Sequence, residues 1–405
     1  MGSAFLLFAG GMNALILPIR GAGEGFSVIS LGLLGTAWAS GHIVGCLATP
    51  TLVSRVGHIR SFSVVCACAG LAVLISLLIV TPWIWIPVRA LSGFCFSSAA
   101  MIVEGWLGER TQRKSRGAIF GIYMSINLAA TTAGQMVLAL GDPMGHLFFV
   151  LAAMFYMMAL IPTAVSSSAA PRPLVHASLN LKELYANSPV AIVTAFFVGV
   201  SNGAFGTLAA VYAIGLGLDL FSITLFVSLP LLAGAAAQVP VGLMSDRFDR
   251  RIVLVAMAIV ALGAELTFLL GHFPSNYMPL ISVSILGAGI YTMYPIILAH
   301  ANDHPSHQSY VLTSGGLLLV FGVGAIFGPL IAGALMQGLG FGGLFVTTST
   351  AHVIIVAYAL QRMFVRSPIP LEDKSKFVFR SPGRLQTPQT DLLTPTSQAV
   401  EEIKS

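Results

Sequence analysis

Twelve apolar runs, each about 20 residues long, follow one another from residue 3 to residue 363. A run of that length crosses a hydrocarbon core of about 30 Å as a helix. Inside lipid no water can satisfy a free peptide group, so only helices and closed barrels can span it. A barrel needs strands that alternate apolar and polar residues. Residues 74–80, LISLLIV, do not alternate. The expectation is an all-α membrane protein with 12 transmembrane helices. Composition agrees: 9% of residues are charged, against about 25% in soluble domains, and the mean hydropathy is +0.88.

The spans are predicted at 3–19, 28–53, 61–80, 83–107, 117–140 and 145–165, then at 189–215, 221–243, 251–270, 277–299, 311–339 and 341–363. Span 1 is short, so either the start codon is misplaced or a cytoplasmic lead is missing. Asn13 and Pro18 interrupt it and no small-residue cleavage site precedes Arg20, which argues against a cleaved signal. The domains expected are a six-helix bundle (1–165), a cytoplasmic linker (166–188) with a short amphipathic helix near 179–185, a second six-helix bundle (189–365) and a disordered cytoplasmic tail (366–405). The tail is polar and carries Ser-Pro or Thr-Pro at 367, 381, 387 and 394.

A net charge of +5 could suggest nucleic acid, but the positions of the charges exclude it. Basic residues gather in alternate short loops: Arg55 and Arg60; Arg110, Arg113, Lys114 and Arg116; Arg172 and Lys182; Arg247, Arg250 and Arg251. Arg20 alone sits in an opposite loop. This bias places both termini in the cytoplasm. The four cysteines lie in apolar spans and read as small buried hydrophobes.

The chain also repeats itself. Residues 50–60, PTLVSRVGHIR, echo 242–251, GLMSDRFDRR, with Arg55 matching Arg247. Asn13 in GGMNA matches Asn202 in GVSNG, and Gly134 matches Gly328. Two six-helix halves related by an axis along the membrane normal suit alternating access around a central site.

These residues resemble the major facilitator superfamily. Gly242, Asp246, Arg247, Arg250 and Arg251 fall on its cytoplasmic loop signature, with Asp249 where glycine is usual. In the first half Pro50 and Ser54 stand in place of the glycine and the aspartate. Arg89 and Gly93 resemble its fourth-span signature. Residues 89–95, Glu104–Leu107, Arg116–Gly117, 121–124 and 134–135 are similar to a bacterial branch labelled YcaD-like. The resemblance implies a secondary transporter, multi-pass in the inner (plasma) membrane of a bacterial cell, without a settled substrate. It also places Glu104 in a cytoplasmic gate, paired with Arg55, Arg60 or Arg110, with Asp246, Arg247 and Arg250 as the matching cluster.

Within the spans, Arg89 is the sharpest candidate, because a cation at membrane depth is costly. It could bind an anionic group or tune a nearby acid; the bland alternative is an arginine snorkelling outward. His42 suits proton coupling, with a reference pKa near 6.5, though a neutral, hydrogen-bonded histidine is the commoner outcome. Asn13, Asn127, Gln135, Asn202, Gln238, Tyr291 and Tyr294 are expected to line the substrate and proton pathway, or else to tie helices together. Trp38 could stack on a solute. Glu265, on a peripheral span, is expected to be buried against a neighbouring helix. The glycine series 316, 324, 328 and 333 reads as close packing and a hinge. His300, Asp303, His304 and His307 share one loop, but without cysteine they make a poor metal site, and no metal or cofactor is expected.

No phosphate loop, nucleophile elbow or paired-carboxylate motif accompanies the spans, so the chain does not read as an enzyme. The expected function is proton-coupled secondary transport of a small solute by a monomer in the lipid bilayer. Export of a small organic or amphipathic compound is favoured by the mostly uncharged cavity candidates. Uptake of a small organic anion held by Arg89 is the second reading. A non-transporting receptor or scaffold, with the tail as partner site, is the alternative from another class.

Overall fold

The structure, a computed structural model, describes residues 2–110, 116–164, 181–271, 273, 275, 277–303, 310–365, 374, 377–378, 380 and 386–390. The first half holds α1 (Gly2–Gly23), α2 (Val28–Val56), α3 (His58–Leu78), α4 (Pro82–Arg110), α5 (Arg116–Met136) and α6 (Leu147–Met158). Short helices α7 (Ile161–Ala164) and α8 (Leu181–Asn187) follow. The second half holds α9 (Pro189–Gly215), α10 (Leu220–Arg247), α11 (Arg250–Leu270), α12 (Met278–Asn302), α13 (Tyr310–Leu339) and α14 (Gly343–Val365).

Ten of these helices are long and apolar enough to cross a membrane. With α5 and α6 they make the expected six plus six. Three differences from the sequence reading are local. First, α1 runs to Gly23 and is long enough to span. The fifth span ends in a turn of 3-10 helix at Val137–Leu140. The sixth is interrupted after Met158 and resumes as α7. The linker helix is present as α8 and seats Leu184, which is buried, against Gly316.

Tight connections explain why the helices stop where they do. Gly57 between α2 and α3, Gly271 after α11 and Gly340 before α14 all have positive φ, a conformation that costs a side chain energy but not glycine. Ser27 caps α2 by accepting from the Ser30 amide, and Asp249 caps α11 by accepting from that of Arg251.

The helix pairings of one half recur in the other. α1 packs on α5 as α9 packs on α13; α2 packs on α4 as α10 packs on α12; α3 packs on α6 as α11 packs on α14. Glycines set the closest of these approaches. A Cβ on Gly134 would collide with the Phe8 carbonyl of α1, and one on Gly328 with the Val200 carbonyl of α9. The repeated Gly134 and Gly328 are therefore the same packing device, used once per half.

The chain has a basic end, carrying the loops after α2 and α10, and an opposite end. At the opposite end the halves meet. Thr36 Oγ1 donates to the Ile326 carbonyl at 2.7 Å, and Ser228 Oγ donates to Gln135 Oε1 at 2.9 Å. Gly32 lies against the Pro329 carbonyl.

Candidate functional site

A cavity of about 120 Å³ lies between the halves, lined from α1, α2, α4, α5 and α6 on one side and α9, α10 and α12 on the other. It comprises a polar cluster on an aromatic floor. Asn13, Ser92, Thr131 and Gln135 supply polar groups, and Trp38, Phe96, Tyr156, Phe205 and Tyr291 supply rings. Arg89 is the one charged side chain in the lining among the described residues. It is buried, and its guanidinium carbon stands 6.0 Å from the centre of the Trp38 ring, within cation–π range. Asn13 is buried, and its Oδ1 has no hydrogen-bond partner among the described residues. An acceptor buried without a donor costs about 1–3 kcal/mol.

Of the residues expected in the pathway, the cavity gathers Arg89, Asn13, Gln135 and Tyr291, together with Trp38. The others lie elsewhere. Asn127, Asn202 and Tyr294 are buried outside the lining, and Tyr294 packs its ring 5.2 Å from that of Phe321. His42 sits just beyond Trp38, with ring centres 5.1 Å apart, and its Nε2 is 3.2 Å from the Gln386 carbonyl. Gln238 is buried and bonded to the backbone of Arg380. Tyr156, Phe205 and Thr207 line the cavity without having been singled out. Tyr156 was legible in principle, as a phenol inside an otherwise apolar span.

At the basic end the second-half charge cluster forms as a buried network. Arg250 donates Nε to Asp303 Oδ2 at 2.6 Å and Nη2 to Oδ1 at 3.2 Å. Its Nη1 reaches Ser245 at 2.9 Å and Asp246 at 3.3 Å. Arg247 is exposed. Arg251 pairs with Asp249 at 2.6 Å. Burial pushes the Asp249 carboxyl up, but the hydrogen bonds and charge of Arg251 outweigh it and hold the carboxyl below its usual range. Asp303 is thus a partner of Arg250. No metal-like group of His, Cys, Asp and Glu occurs among the described residues, and His304 and His307 lie outside them.

The first-half cluster departs from expectation. Arg55 and Arg60 are exposed and do not reach Glu104; the side chain of Arg110 lies outside the described residues. Glu104 is buried and accepts from the Tyr123 hydroxyl at 3.4 Å and from two hydroxyls of the tail, Thr387 and, at 2.9 Å, Thr390. The physical reason is burial: a carboxylate out of water needs donors, and the tail supplies them. Expected to be disordered, the tail is instead packed into the protein at every residue from Lys374 to Thr390 that the structure describes. Away from the axis, Glu265 is fully buried on α11 as expected, 3.0 Å from His352 Nδ1 on α14.

Residues 1–315 and 191–395 match the Major Facilitator Superfamily. The chain belongs to this family. Among its superfamily relatives is the uncharacterized MFS-type transporter YcaD of Shigella flexneri serotype 5b, 25% identical over 361 residues, covering 86% of this chain and 91% of that one. The YcaD protein of Escherichia coli strain SE11 matches at the same identity and coverage. Among solved superfamily structures, the nucleoside transporter NupG superposes with a TM-score of 0.74 at 12% identity, over 90% of this chain and 98% of that one. A bacterial homologue of the human lysosomal transporter Spinster, in an inward-facing and occupied conformation, superposes with a TM-score of 0.71 at 14% identity, over 92% of this chain and 97% of that one. The protein is accordingly a multi-pass membrane transporter of the superfamily and not an enzyme.

Proposed function

We propose that the protein carries a small organic solute with an apolar or aromatic body and one strong acceptor group, exchanging the cavity between the two membrane faces. The single observation behind this reading is the cavity lining: one cation, Arg89, beside aromatic rings and neutral polar groups. Rings supply area, Arg89 supplies a charge-assisted hydrogen bond, and the Asn13 carbonyl oxygen accepts from a solute donor. Export of an amphipathic compound remains the first assignment of direction. Uptake of a small organic anion is the second reading, favoured by the absence of an acid from the described lining.

His42 is our candidate for proton coupling, because it lies next to the cavity floor and titrates near neutrality in its reference state. The basic end is assigned to the cytoplasm by the positive-inside rule, and the bacterial relatives favour an inner membrane. The test is binding. Trp38 touches the cavity, so the emission of purified protein is titrated with organic acids, neutral aromatics and cationic amphiphiles. One class should quench saturably in the wild type and at least tenfold more weakly in Arg89→Ala, the loss of about 1.4 kcal/mol expected for a charge-assisted contact. Equal affinity in both proteins would overturn the role of Arg89.

A further inference from the structure

The tail is where the structure departs furthest from an ordinary reading of the sequence. From Lys374 to Thr390 the described residues thread the basic end between the two halves. Arg380, Gln386, Thr387, Gln389 and Thr390 are each at most 2% exposed. Such burial is unusual for polar residues, which sit inside only when hydrogen-bonded. Here the Thr387 and Thr390 hydroxyls and the Gln386 backbone bond the first half, and the Arg380 backbone bonds the second.

On the second half, Gln238 of α10 makes a two-way bond to the backbone of Arg380. Its Nε2 donates to the carbonyl at 2.7 Å, and its Oε1 accepts from the amide at 2.8 Å. The Phe377 amide donates to Asp246 Oδ1 at 2.9 Å, and its ring lies over Gly242, where a Cβ would leave it no room. Lys374 Nζ donates to the Phe248 carbonyl at 2.6 Å. On the first half, the Gln386 carbonyl meets His42 of α2, and the hydroxyls of Thr387 and Thr390 hold Glu104 of α4. Between them Pro388 closes a pocket formed by α2 and α13, lined by Trp38, His42, Cys46 and Phe321.

We propose that Lys374, Phe377, Arg380 and residues 386–390 of the tail act as a tethered plug: these C-terminal residues of the chain are the ligand of the basic-end half of the translocation path. Two consequences follow from the geometry. The segment stands between the cavity floor and the basic end, so a solute cannot pass while it is seated. It also wedges α2 and α4 away from α10, so the halves cannot meet at that end as they meet at the opposite one. Gate residues become the plug's anchors. Glu104 and Asp246, placed by their signatures in the cytoplasmic gate, are both taken by tail donors. Seating the tail and latching the gate therefore compete for the same carboxylates, and release of the tail frees both.

The inhibition of flux rests on the transport reading above, but the wedge does not, so the test measures distance without solute. Spin labels go on Val56→Cys and Met244→Cys, both exposed and on opposite halves at the basic end, in protein whose four native cysteines are serine. The full chain should show a dominant long distance with a minor short population. A chain ending at Val365 should enlarge the short population, and adding a synthetic peptide of residues 374–390 should shrink it again. A plug seated in about 90% of molecules changes the competent fraction roughly tenfold on removal, and that is the rise expected in the short population. In the full chain, Thr387→Val with Thr390→Val should move the distribution the same way, which covers the case of a truncated chain that does not fold. Identical distributions in the full chain, the truncated chain and the double variant would overturn the proposal. Closure on truncation with no solute transported would leave the plug standing and count against the transport reading alone.

Discussion

Removing one partner from the Arg250–Asp303 pair should be far more damaging than removing both. The two side chains are 1% and 2% exposed, and the contact is bidentate. If the pair behaved like a surface salt bridge, either substitution would cost at most about 1 kcal/mol. Burial decides otherwise. Asp303→Leu takes the bidentate partner from a guanidinium that is 1% exposed, and stranding a buried charge costs about 3–5 kcal/mol. Asp246 cannot compensate, because it is half-exposed and already bonded at 3.3 Å in the native arrangement. For a unit the size of one half, about 2–4 °C of melting temperature is lost per kcal/mol, so a fall of roughly 6–20 °C is expected. Replacing both residues, Arg250→Met with Asp303→Leu, removes the charges together and should return to within about 1 kcal/mol of the parent. The assay is the fraction of detergent-solubilised protein that remains monodisperse by size-exclusion chromatography after heating. A double variant as unstable as Asp303→Leu would refute the stranded-charge argument.

Three further outcomes are expected. Gly328→Val and Gly134→Val each drive a side chain into a neighbouring helix backbone, so both should lower the yield of folded protein by overpacking worth about 1–3 kcal/mol; a tolerated pair would mean that the mirrored packing is slack. His352→Leu removes the hydrogen-bond partner of the Glu265 carboxyl in a site with no exposure, and should destabilise the protein more than Glu265→Gln does in the same thermal assay. Arg251→Gln should weaken the protein at neutral pH but not in acid. The Asp249 carboxyl lies below its unfolded value, so its contribution is complete above about pH 4 and fades as pH falls through the folded pKa; parent and variant stabilities that stay equally far apart from pH 7 to pH 3 would contradict it.

What could be read from the chain, and what could not, divides along physical lines. The spans were legible because hydropathy over about 20 residues reports a bilayer directly, and the interruption after Met158 was missed because Ala159 and Leu160 are as apolar as their neighbours. The halves were legible because Asn13 and Gly134 of the first half recur, in the same order and at similar spacing, as Asn202 and Gly328 of the second. Arg89 was legible because a cation at depth needs a reason. Which polar residues face the cavity was not. Asn13 lines it and Asn202 does not, although they are repeat mates, because in a membrane protein the faces toward cavity, neighbour and lipid can all be apolar. The partners of Glu104 were beyond reach for a different cause: its donors come from Thr387 and Thr390, far along the chain in a segment whose polarity reads as disorder. Polar residues can be buried when the cavity that receives them is itself polar, and a composition rule does not see the receiving side.

The central claim is that solute movement through the Arg89 cavity is driven by an ion gradient, and proteoliposome flux tests it most directly. Purified protein goes into vesicles that hold a pH-sensitive dye. Organic acids, neutral aromatics and cationic amphiphiles are then added in turn, with Arg89→Ala and His42→Ala prepared alongside. The account predicts proton movement that depends on one solute class, disappears in Arg89→Ala, and is uncoupled from solute flux in His42→Ala. Folded protein that moves a solute equally well with Arg89 replaced, or moves none from any class even with the tail removed, would contradict it.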